Sequence, residues 1–208
     1  MDRIKEVYIY RHGETDWNVS QRTMGQLESI VTSFTKLGYE EIEDISIDMI
    51  KNNIEVIYSS DLQRAVETAT IANNNKNVAI YMSKELRGLN MGQLQGLSTS
   101  ELENSKFAQE SFKNYDIPLP GGESINDLNR RVYSFIKRIC DETDYERIAI
   151  VTHSAVMSNL RSFLDNDNYV SINRCLLLYK DGKFIVKSYD TVGTDKPFVM
   201  KRGANENK

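Results

Sequence analysis

The sequence contains few cysteines and histidines, the residues that form disulfides and bind metals, and few prolines: two cysteines, two histidines and three prolines among 208 residues. Two cysteines are too few for a disulfide framework, and without a CxxC pair they offer no zinc-ligand spacing. Cys140 and Cys175 are therefore expected to be free thiols, and no metal site is predicted. Few prolines and no Gly- or Ser-rich stretch leave no linker, which predicts a single domain over residues 1–208.

Long apolar runs are also absent, since none approaches the ~20 residues of a membrane-spanning helix. No signal peptide precedes the first predicted strand, so we expect a cytoplasmic protein without a membrane partner. The charges are nearly balanced, with 26 basic and 30 acidic residues and a formal net charge of -4. This balance disfavours a nucleic-acid partner and indicates that basic side chains act locally, in a pocket.

Apolar runs alternate with amphipathic segments, and this order predicts the fold class. Strands are predicted at 5–10, 55–59, 78–82, 147–152, 175–180 and 184–188, and helices at 38–51, 62–74, 100–113, 124–141 and 154–164. The alternation favours an α/β fold, a three-layer αβα sandwich with a mostly parallel sheet. The turn Lys180-Asp181-Gly182 indicates a hairpin between the last two strands, so one edge strand is expected to be antiparallel.

One of the two histidines stands where the first predicted strand ends, within the run RHGETDWN at residues 11–18. An imidazole at a strand end can act as a nucleophile toward phosphorus. The guanidinium of Arg11 can hold two phosphoryl oxygens as a fork, and Gly13 lets the backbone come close. The run therefore predicts that His12 attacks a phosphoryl group.

The second histidine and a second arginine follow two other predicted strands. His153 comes directly after the β-branched run IAIVT and precedes a helix. Arg64 lies in the run SSDLQRA, in the first turn of a helix for which Ser60 or Asp61 is the expected cap. Because the carboxyl ends of parallel strands meet at one edge of a sheet, these side chains are expected to lie near His12.

Together with the run PGGES at residues 120–124, these motifs closely resemble the histidine phosphatase superfamily, which includes the cofactor-dependent phosphoglycerate mutases. The resemblance implies that His12 carries a phosphohistidine intermediate and that neither a metal nor a cofactor takes part. The phosphate pocket it implies consists of Arg11, Arg64, Asn18 and His153, with Gly25 and Ser154 as further substrate-binding positions. In PGGES, Ser124 is predicted to cap a helix and Glu123 to be structural.

One residue of the family pattern is missing. Family members with efficient phosphomonoesterase or mutase activity usually have a glutamate in the run that reads LRGLNMGQLQG here, at residues 86–96, and Gly88 occupies its place. That glutamate gives a proton to the leaving oxygen. Glu85 could replace it only if the backbone were rerouted, so a solvated surface role is the favoured interpretation of Glu85.

These features predict a metal-independent phosphatase that hydrolyses phosphate esters or activated phosphoryl groups of a small molecule or a phosphoprotein. A phosphoglycerate mutase-type phosphotransferase is the first alternative, disfavoured because Thr99 stands where the mutases have a lysine. The second alternative is a phospho-ligand binding protein that has lost its acid. The sequence leaves the physiological substrate and the oligomeric state open.

Overall fold

A computed structural model describes residues 4–28, 32–165 and 173–190 of the chain; the remainder of the predicted 1–208 domain lies outside the described residues. The six strands are β1 Lys5–Arg11, β2 Val56–Ser60, β3 Ala79–Ser83, β4 Arg147–Thr152, β5 Arg174–Lys180 and β6 Lys183–Asp190. The α-helices are α1 Asp16–Val19, α2 Lys36–Lys51, α3 Gln63–Ala72, α4 Thr99–Asn104, α5 Lys106–Lys113, α6 Ile125–Glu142 and α7 Ser154–Asp165. Two short 3-10 turns cover Lys84–Leu86 and Gly92–Leu94.

The strands form one sheet in the order β3-β2-β4-β1-β5-β6. Strands β1, β2, β3 and β4 run parallel, whereas β5 pairs antiparallel with β1 and with β6. The predicted mostly parallel sheet with an antiparallel edge is confirmed. The turn at Asp181 and Gly182 makes that edge because both residues adopt the positive φ that a tight hairpin requires.

Helices cover both faces of the sheet, and alternate side chains of β1 enter the two cores. On one face, Val7 and Ile9 of β1 join the apolar side of α6. On the other face, Tyr8 and Tyr10 lie with buried side chains of α2 and with the alanines of α3. This division is the αβα sandwich that the sequence predicted, and it leaves the carboxyl ends of β1, β2 and β4 at one edge.

Two helix starts differ in how well the sequence predicted them. Ser124 caps α6 as expected, in a capping box with Asp127. The cap expected for α3 is wrong, because the helix follows Leu62 and no side chain of Ser60 or Asp61 caps it. Instead, the Gln63 N–H donates to a carboxylate oxygen of Glu28 at 2.9 Å, and that partner is distant in sequence.

The predicted helix at 100–113 is divided into α4 and α5, because Ser105 ends the first helix and caps the second. Within the described parts of the chain, no helix is both long and apolar enough to cross a membrane.

Candidate active site

His12 follows β1 and is held in one orientation by its own backbone. Its ring Nδ1 lies 2.8 Å from the Gly13 carbonyl oxygen. Because a carbonyl oxygen only accepts, Nδ1 carries the proton and Nε2 keeps its lone pair. Arg64 Nε donates to that Nε2 at 3.2 Å, which identifies Nε2 as the hydrogen-bond acceptor of the ring. The geometry thus presents a nucleophilic nitrogen beside a guanidinium.

The turn after His12 is fixed by close contact with α2 and α3. The Gly13 N–H donates to Thr68 Oγ1 at 3.1 Å, and a Cβ at Gly13 would lie 2.7 Å from the Gly38 carbonyl oxygen. Only glycine fits that approach of the loop to α2. Glu14 binds the other end of the loop, since its carboxylate accepts from Thr35 Oγ1 at 2.8 Å. These contacts make the loop a rigid support for the imidazole.

Arg64 lies in the first turn of α3, almost fully buried, and a second loop holds it. Its NH2 donates to the Gly25 carbonyl oxygen at 2.8 Å. Gly25 has a φ of 55°, and a Cβ there would collide with Gln95. Gly25, predicted to bind substrate, therefore contacts the arginine through its carbonyl. Burial lowers the pKa of Arg64 to about 10, which leaves the guanidinium charged at neutral pH.

His153 follows β4 and lies beside His12, with the two ring centroids 5.2 Å apart in an edge-to-face arrangement. Its Nε2 is 2.8 Å from Ser60 Oγ. Its Nδ1 is buried and has no hydrogen-bond partner among the described residues, and the same holds for Nε of Arg11. Buried polar groups without partners are rare, and here they stand where an oxyanion was predicted to bind.

Both histidines are buried and sit among cations, so both favour the neutral ring. Burial, then Arg64 and Arg11, lower the pKa of His12 well below its ordinary value. Burial and Arg64 are the largest causes that lower the pKa of His153 in the same direction. A neutral His12 is the form that a nucleophile requires. A bound phosphate would offset the positive charge of the arginines.

The two remaining predicted substrate-binding residues are Asn18 of α1 and Ser154 of α7. Asn18 Oδ1 accepts from the backbone N–H and the Oγ1 of Thr15, at 2.9 and 3.0 Å, so Thr15 holds the Asn18 amide in one orientation. Ser154 is the first residue of α7 and directly follows His153. A helix N-terminus presents free N–H groups that suit an anion.

Gly88 borders the site. A Cβ on Gly88 would lie 3.2 Å from both Cβ and Cγ of His153, and the φ of this glycine is not positive. Glu85 does not reach the site, because its carboxylate binds Arg138 of α6 at 2.7 Å and its side chain is 42% exposed. The structure thus agrees with the surface interpretation of Glu85.

Arg131 of α6 holds the Gly88 segment, a role that the sequence analysis missed. Its guanidinium donates to the carbonyl oxygens of Glu85, Arg87 and Gly88, each at 2.8 Å. Its Nε and NH2 donate to the two carboxylate oxygens of Glu123, at 3.0 and 2.7 Å. Glu123 is therefore structural, as predicted. Nothing in the helix pattern distinguished Arg131 from a solvated arginine.

The profile of the Histidine phosphatase superfamily (branch 1) matches residues 7–174. The chain belongs to this superfamily. Phosphoglycerate mutase-like protein 4 of Arabidopsis thaliana is 34% identical over 163 residues, which is 74% of this chain and 69% of that relative. The metal-independent phosphoserine phosphatase of the same plant is 33% identical over 160 residues, 74% of this chain and 66% of that relative. These relatives support a phosphatase or phosphotransferase activity.

Solved structures share the fold of this histidine phosphatase-superfamily protein at low identity. A mycobacterial glucosyl-3-phosphoglycerate phosphatase matches with a TM-score of 0.76 at 21% identity, covering 91% of this chain and all of that one (100%). A phosphoserine phosphatase from Entamoeba histolytica, in complex with phosphoserine, matches with a TM-score of 0.76 at 20% identity, covering 90% of this chain and 98% of that one. At these identities the likeness shows the fold alone.

Cationic side chains surround the two rings in this member of the superfamily. The part of the chain that the structure describes holds no group of three or more His, Cys, Asp or Glu side chains able to ligate a metal ion. The guanidiniums of Arg11 and Arg64 both act electrostatically on His12 and His153. Such preorganised donors are suited to the charge of a transferring phosphoryl group.

Proposed function

We propose that the protein is a metal-independent phosphatase that works through a phosphohistidine on His12. In the first step, the Nε2 lone pair attacks phosphorus and the bond from phosphorus to the leaving oxygen breaks, so the leaving group departs with that electron pair. In the second step, water attacks the phosphoryl group and its proton passes to bulk solvent. The P–N bond then returns its electrons to Nε2, and inorganic phosphate leaves.

The observation that carries the proposal is the state of His12. Its Nδ1–H is committed to Gly13 and its Nε2 lone pair meets Arg64. A pocket that only binds phosphate needs guanidinium donors, but it gains nothing from a neutral ring held with its lone pair inward. The relative named a metal-independent phosphoserine phosphatase, 33% identical to this chain, supports the same reaction class.

Gly88 narrows the expected substrates. Expulsion of an alkoxide needs a proton donor, and neither Gly88 nor Glu85 supplies a carboxylic acid to the site. Phosphoryl groups with good leaving groups need no such help, and these include acyl phosphates, phosphoanhydrides, aryl phosphates and phosphohistidine. The proposed substrates are therefore activated phosphoryl groups on a small molecule or a protein, rather than alkyl esters such as phosphoserine.

The first experiment is to trap the intermediate. Purified protein incubated with acetyl phosphate labelled with ³²P should acquire a label that is stable in base and labile in acid, as a phosphoramidate is. The His12→Asn variant should acquire none, and His153→Gln is the matched control because it alters the other histidine of the site. Turnover should continue in EDTA. A label that persists in His12→Asn contradicts the mechanism, and loss of turnover in EDTA contradicts its independence of metal.

The same assay separates the alternatives. Transfer of the label to a sugar or glycerate hydroxyl faster than to water would favour the phosphotransferase. Tight binding of inorganic phosphate with no label from acetyl phosphate would favour the binding protein, for which the absence of an acid at Gly88 is the specific support.

A further inference from the structure

Ser60 makes the one hydrogen bond that the ring of His153 forms with a described residue. Ser60 is the last residue of β2 and is fully buried. Its Oγ lies 2.8 Å from Nε2 of His153 and accepts the Leu62 N–H at 3.3 Å. The neighbouring Ser59 also is fully buried, but its hydroxyl donates to the Ser60 carbonyl oxygen at 2.9 Å and does not touch the ring. Two adjacent buried serines therefore have different partners.

The direction of the hydrogen bond between Ser60 and His153 follows from counting donors and acceptors. A serine hydroxyl has one proton to donate, and no water can reach the buried Oγ of Ser60. Among the described residues, Nε2 of His153 is the acceptor within reach. If Nε2 carried the proton instead, the serine proton and the Nδ1 lone pair would both be unsatisfied. If Ser60 donates, only Nδ1–H lacks a partner.

We propose that Ser60 is a positioning residue: its hydroxyl donates to Nε2 of His153 and holds the ring as the Nδ1–H tautomer, so that Nδ1–H is a hydrogen-bond donor for the phosphoryl group. This inference rests on the proposed function for its ligand, a phosphoryl group or its oxyanion analogues. The phosphoryl group would be the hydrogen-bond partner of the buried Nδ1 of His153, which has none among the described residues. Fixing a histidine tautomer through the nitrogen that does not meet the ligand is a general device in catalytic and metal sites.

The arrangement makes the two histidines complementary. Both rings carry their proton on Nδ1. His12 donates that proton to the Gly13 carbonyl and presents the lone pair of Nε2, whereas Nε2 of His153 accepts from Ser60 and its Nδ1–H is left to donate. One ring is thereby a nucleophile and the other a donor, although the two are neutral and 5.2 Å apart. Loss of the Ser60 hydroxyl removes the constraint on one ring only.

The direct test is ¹⁵N NMR of protein labelled at histidine, which gives only two ring systems to assign. At pH 7.5 the wild type should show a protonated Nδ1 and an unprotonated Nε2 for His153, assigned by the loss of the other set in His12→Asn. In Ser60→Ala the His153 signals should shift toward the Nε2–H tautomer, whereas Ser59→Ala should keep the wild-type pattern. Orthovanadate should change the chemical shift of the His153 Nδ1–H proton in the wild type.

Activity provides the second readout. We expect Ser60→Ala to lower kcat/KM for p-nitrophenyl phosphate about 10- to 100-fold, by analogy with the loss seen when the hydrogen-bond partner of a metal-ligating histidine is removed. Ser59→Ala should remain within about threefold of the wild type, because both variants remove the same buried atom type and differ in the contact with His153. Ser60→Thr keeps the hydroxyl and should retain the tautomer.

The outcomes separate this inference from the proposed function. An Nε2–H ring in the wild type, or an unchanged tautomer in Ser60→Ala, overturns the positioning role whatever the activity. If the wild type turns over no ester but shows the Nδ1–H tautomer and a vanadate-dependent shift, the proposed phosphatase fails while the role of Ser60 stands. A fall in activity that is equal in Ser59→Ala and Ser60→Ala assigns the effect to packing and overturns the inference.

Discussion

Placing a carboxylic acid at Gly88 tests whether the proposed reaction is limited by the lack of a proton donor at this position. The structure permits the change, because the φ of Gly88 is not positive and a Cβ there meets no backbone atom at short range. Its nearest contacts are Cβ and Cγ of His153 at 3.2 Å, so the ring or the loop must yield by a few tenths of an ångström. A glutamate at this position begins beside the ring of His153, because its first carbon contacts that residue.

The expected gain can be bounded. General acid catalysis contributes about 10²- to 10⁴-fold, which corresponds to roughly 3 to 5 kcal/mol of barrier. The tight contact with His153 argues for the lower end, so Gly88→Glu should raise kcat/KM about 100-fold for an alkyl phosphate. For p-nitrophenyl phosphate the gain should be below about tenfold, because its leaving group bears charge without protonation.

The assay is kcat/KM over esters graded by the pKa of the leaving group, in the wild type, Gly88→Glu and Gly88→Gln. The wild type should show a steep dependence and the glutamate variant a shallow one. Gly88→Gln matches glutamate in size and contact but has no acidic proton, so it should keep the steep dependence. A flat dependence in the wild type would refute the reasoning that the acid is absent, and equal rates in the two variants would refute the expectation that a carboxylic acid at position 88 protonates the leaving oxygen.

Three other expectations concern binding and stability. Arg64→Lys keeps the charge but loses the donors to His12 and Gly25, and isothermal titration should show orthovanadate binding about 10- to 100-fold weaker; unchanged affinity would count against the predicted pocket. Arg131→Met should lower the free energy of unfolding by about 2 to 3 kcal/mol, because the ion pair of Arg131 with Glu123 is mostly buried. The neighbouring change Arg130→Met should lower it by less than about 1 kcal/mol, because the ion pair of Arg130 is more exposed; equal losses in urea titrations would contradict this. Burial lowers the pKa of His12 and of His153 below about 6.5, so below that pH the unfolded chain binds more protons than the folded protein. The free energy of unfolding should therefore decrease as the pH is lowered below about 6.5, by up to about 2.7 kcal/mol per pH unit for the two rings together, and should not change for this reason above it. In urea titrations from pH 7.5 to 5, a His12→Asn/His153→Gln variant should lose less free energy of unfolding per pH unit than the wild type, and an equal loss would refute this expectation.

The sequence predicted the sheet well because its strands are short apolar runs with clear ends. The fourth strand was expected at 147–152 and is β4 Arg147–Thr152, and the hairpin at its antiparallel edge followed from Asp181 and Gly182. Strand ends in turn placed His12 and His153 at one edge, because parallelism alone brings them together.

Side-chain partners that are distant in sequence could not be predicted in this way. The first N–H of α3, that of Gln63, donates to Glu28 rather than to Ser60 or Asp61. Asp61 instead binds Arg87 through two hydrogen bonds of 2.6 and 2.7 Å. The local sequence pattern indicates that a serine suits the start of a helix. It does not indicate which distant loop packs against that helix and supplies the acceptor for its first N–H. Arg131 has the same limitation, since its partners depend on how the Gly88 segment folds over α6.

Gly13 and Gly88 have opposite consequences for the two steps of the proposed reaction. The hydrogen bond from His12 Nδ1–H to the Gly13 carbonyl keeps that nitrogen protonated, so a phosphorylated ring carries a positive charge and leaves phosphorus as neutral imidazole without an acid. The first step has no such help, because the position of Gly88 offers no proton to the leaving oxygen. The missing acid should therefore slow the formation of phosphohistidine more than its hydrolysis.

This asymmetry predicts a change of rate-limiting step along a series of esters. With alkyl phosphates, phosphorylation of His12 should limit both kcat and kcat/KM. With activated esters, hydrolysis of the common phosphohistidine should become limiting, so kcat should reach one plateau while kcat/KM continues to rise with leaving-group ability. Stopped-flow assays with p-nitrophenyl phosphate should then show a burst of about one equivalent of p-nitrophenol per site, absent in His12→Asn. A kcat that follows the leaving group through the whole series without any burst would contradict the predicted change of rate-limiting step, and direct attack of water on the ester would then be distinguished by the absence of a ³²P label on His12.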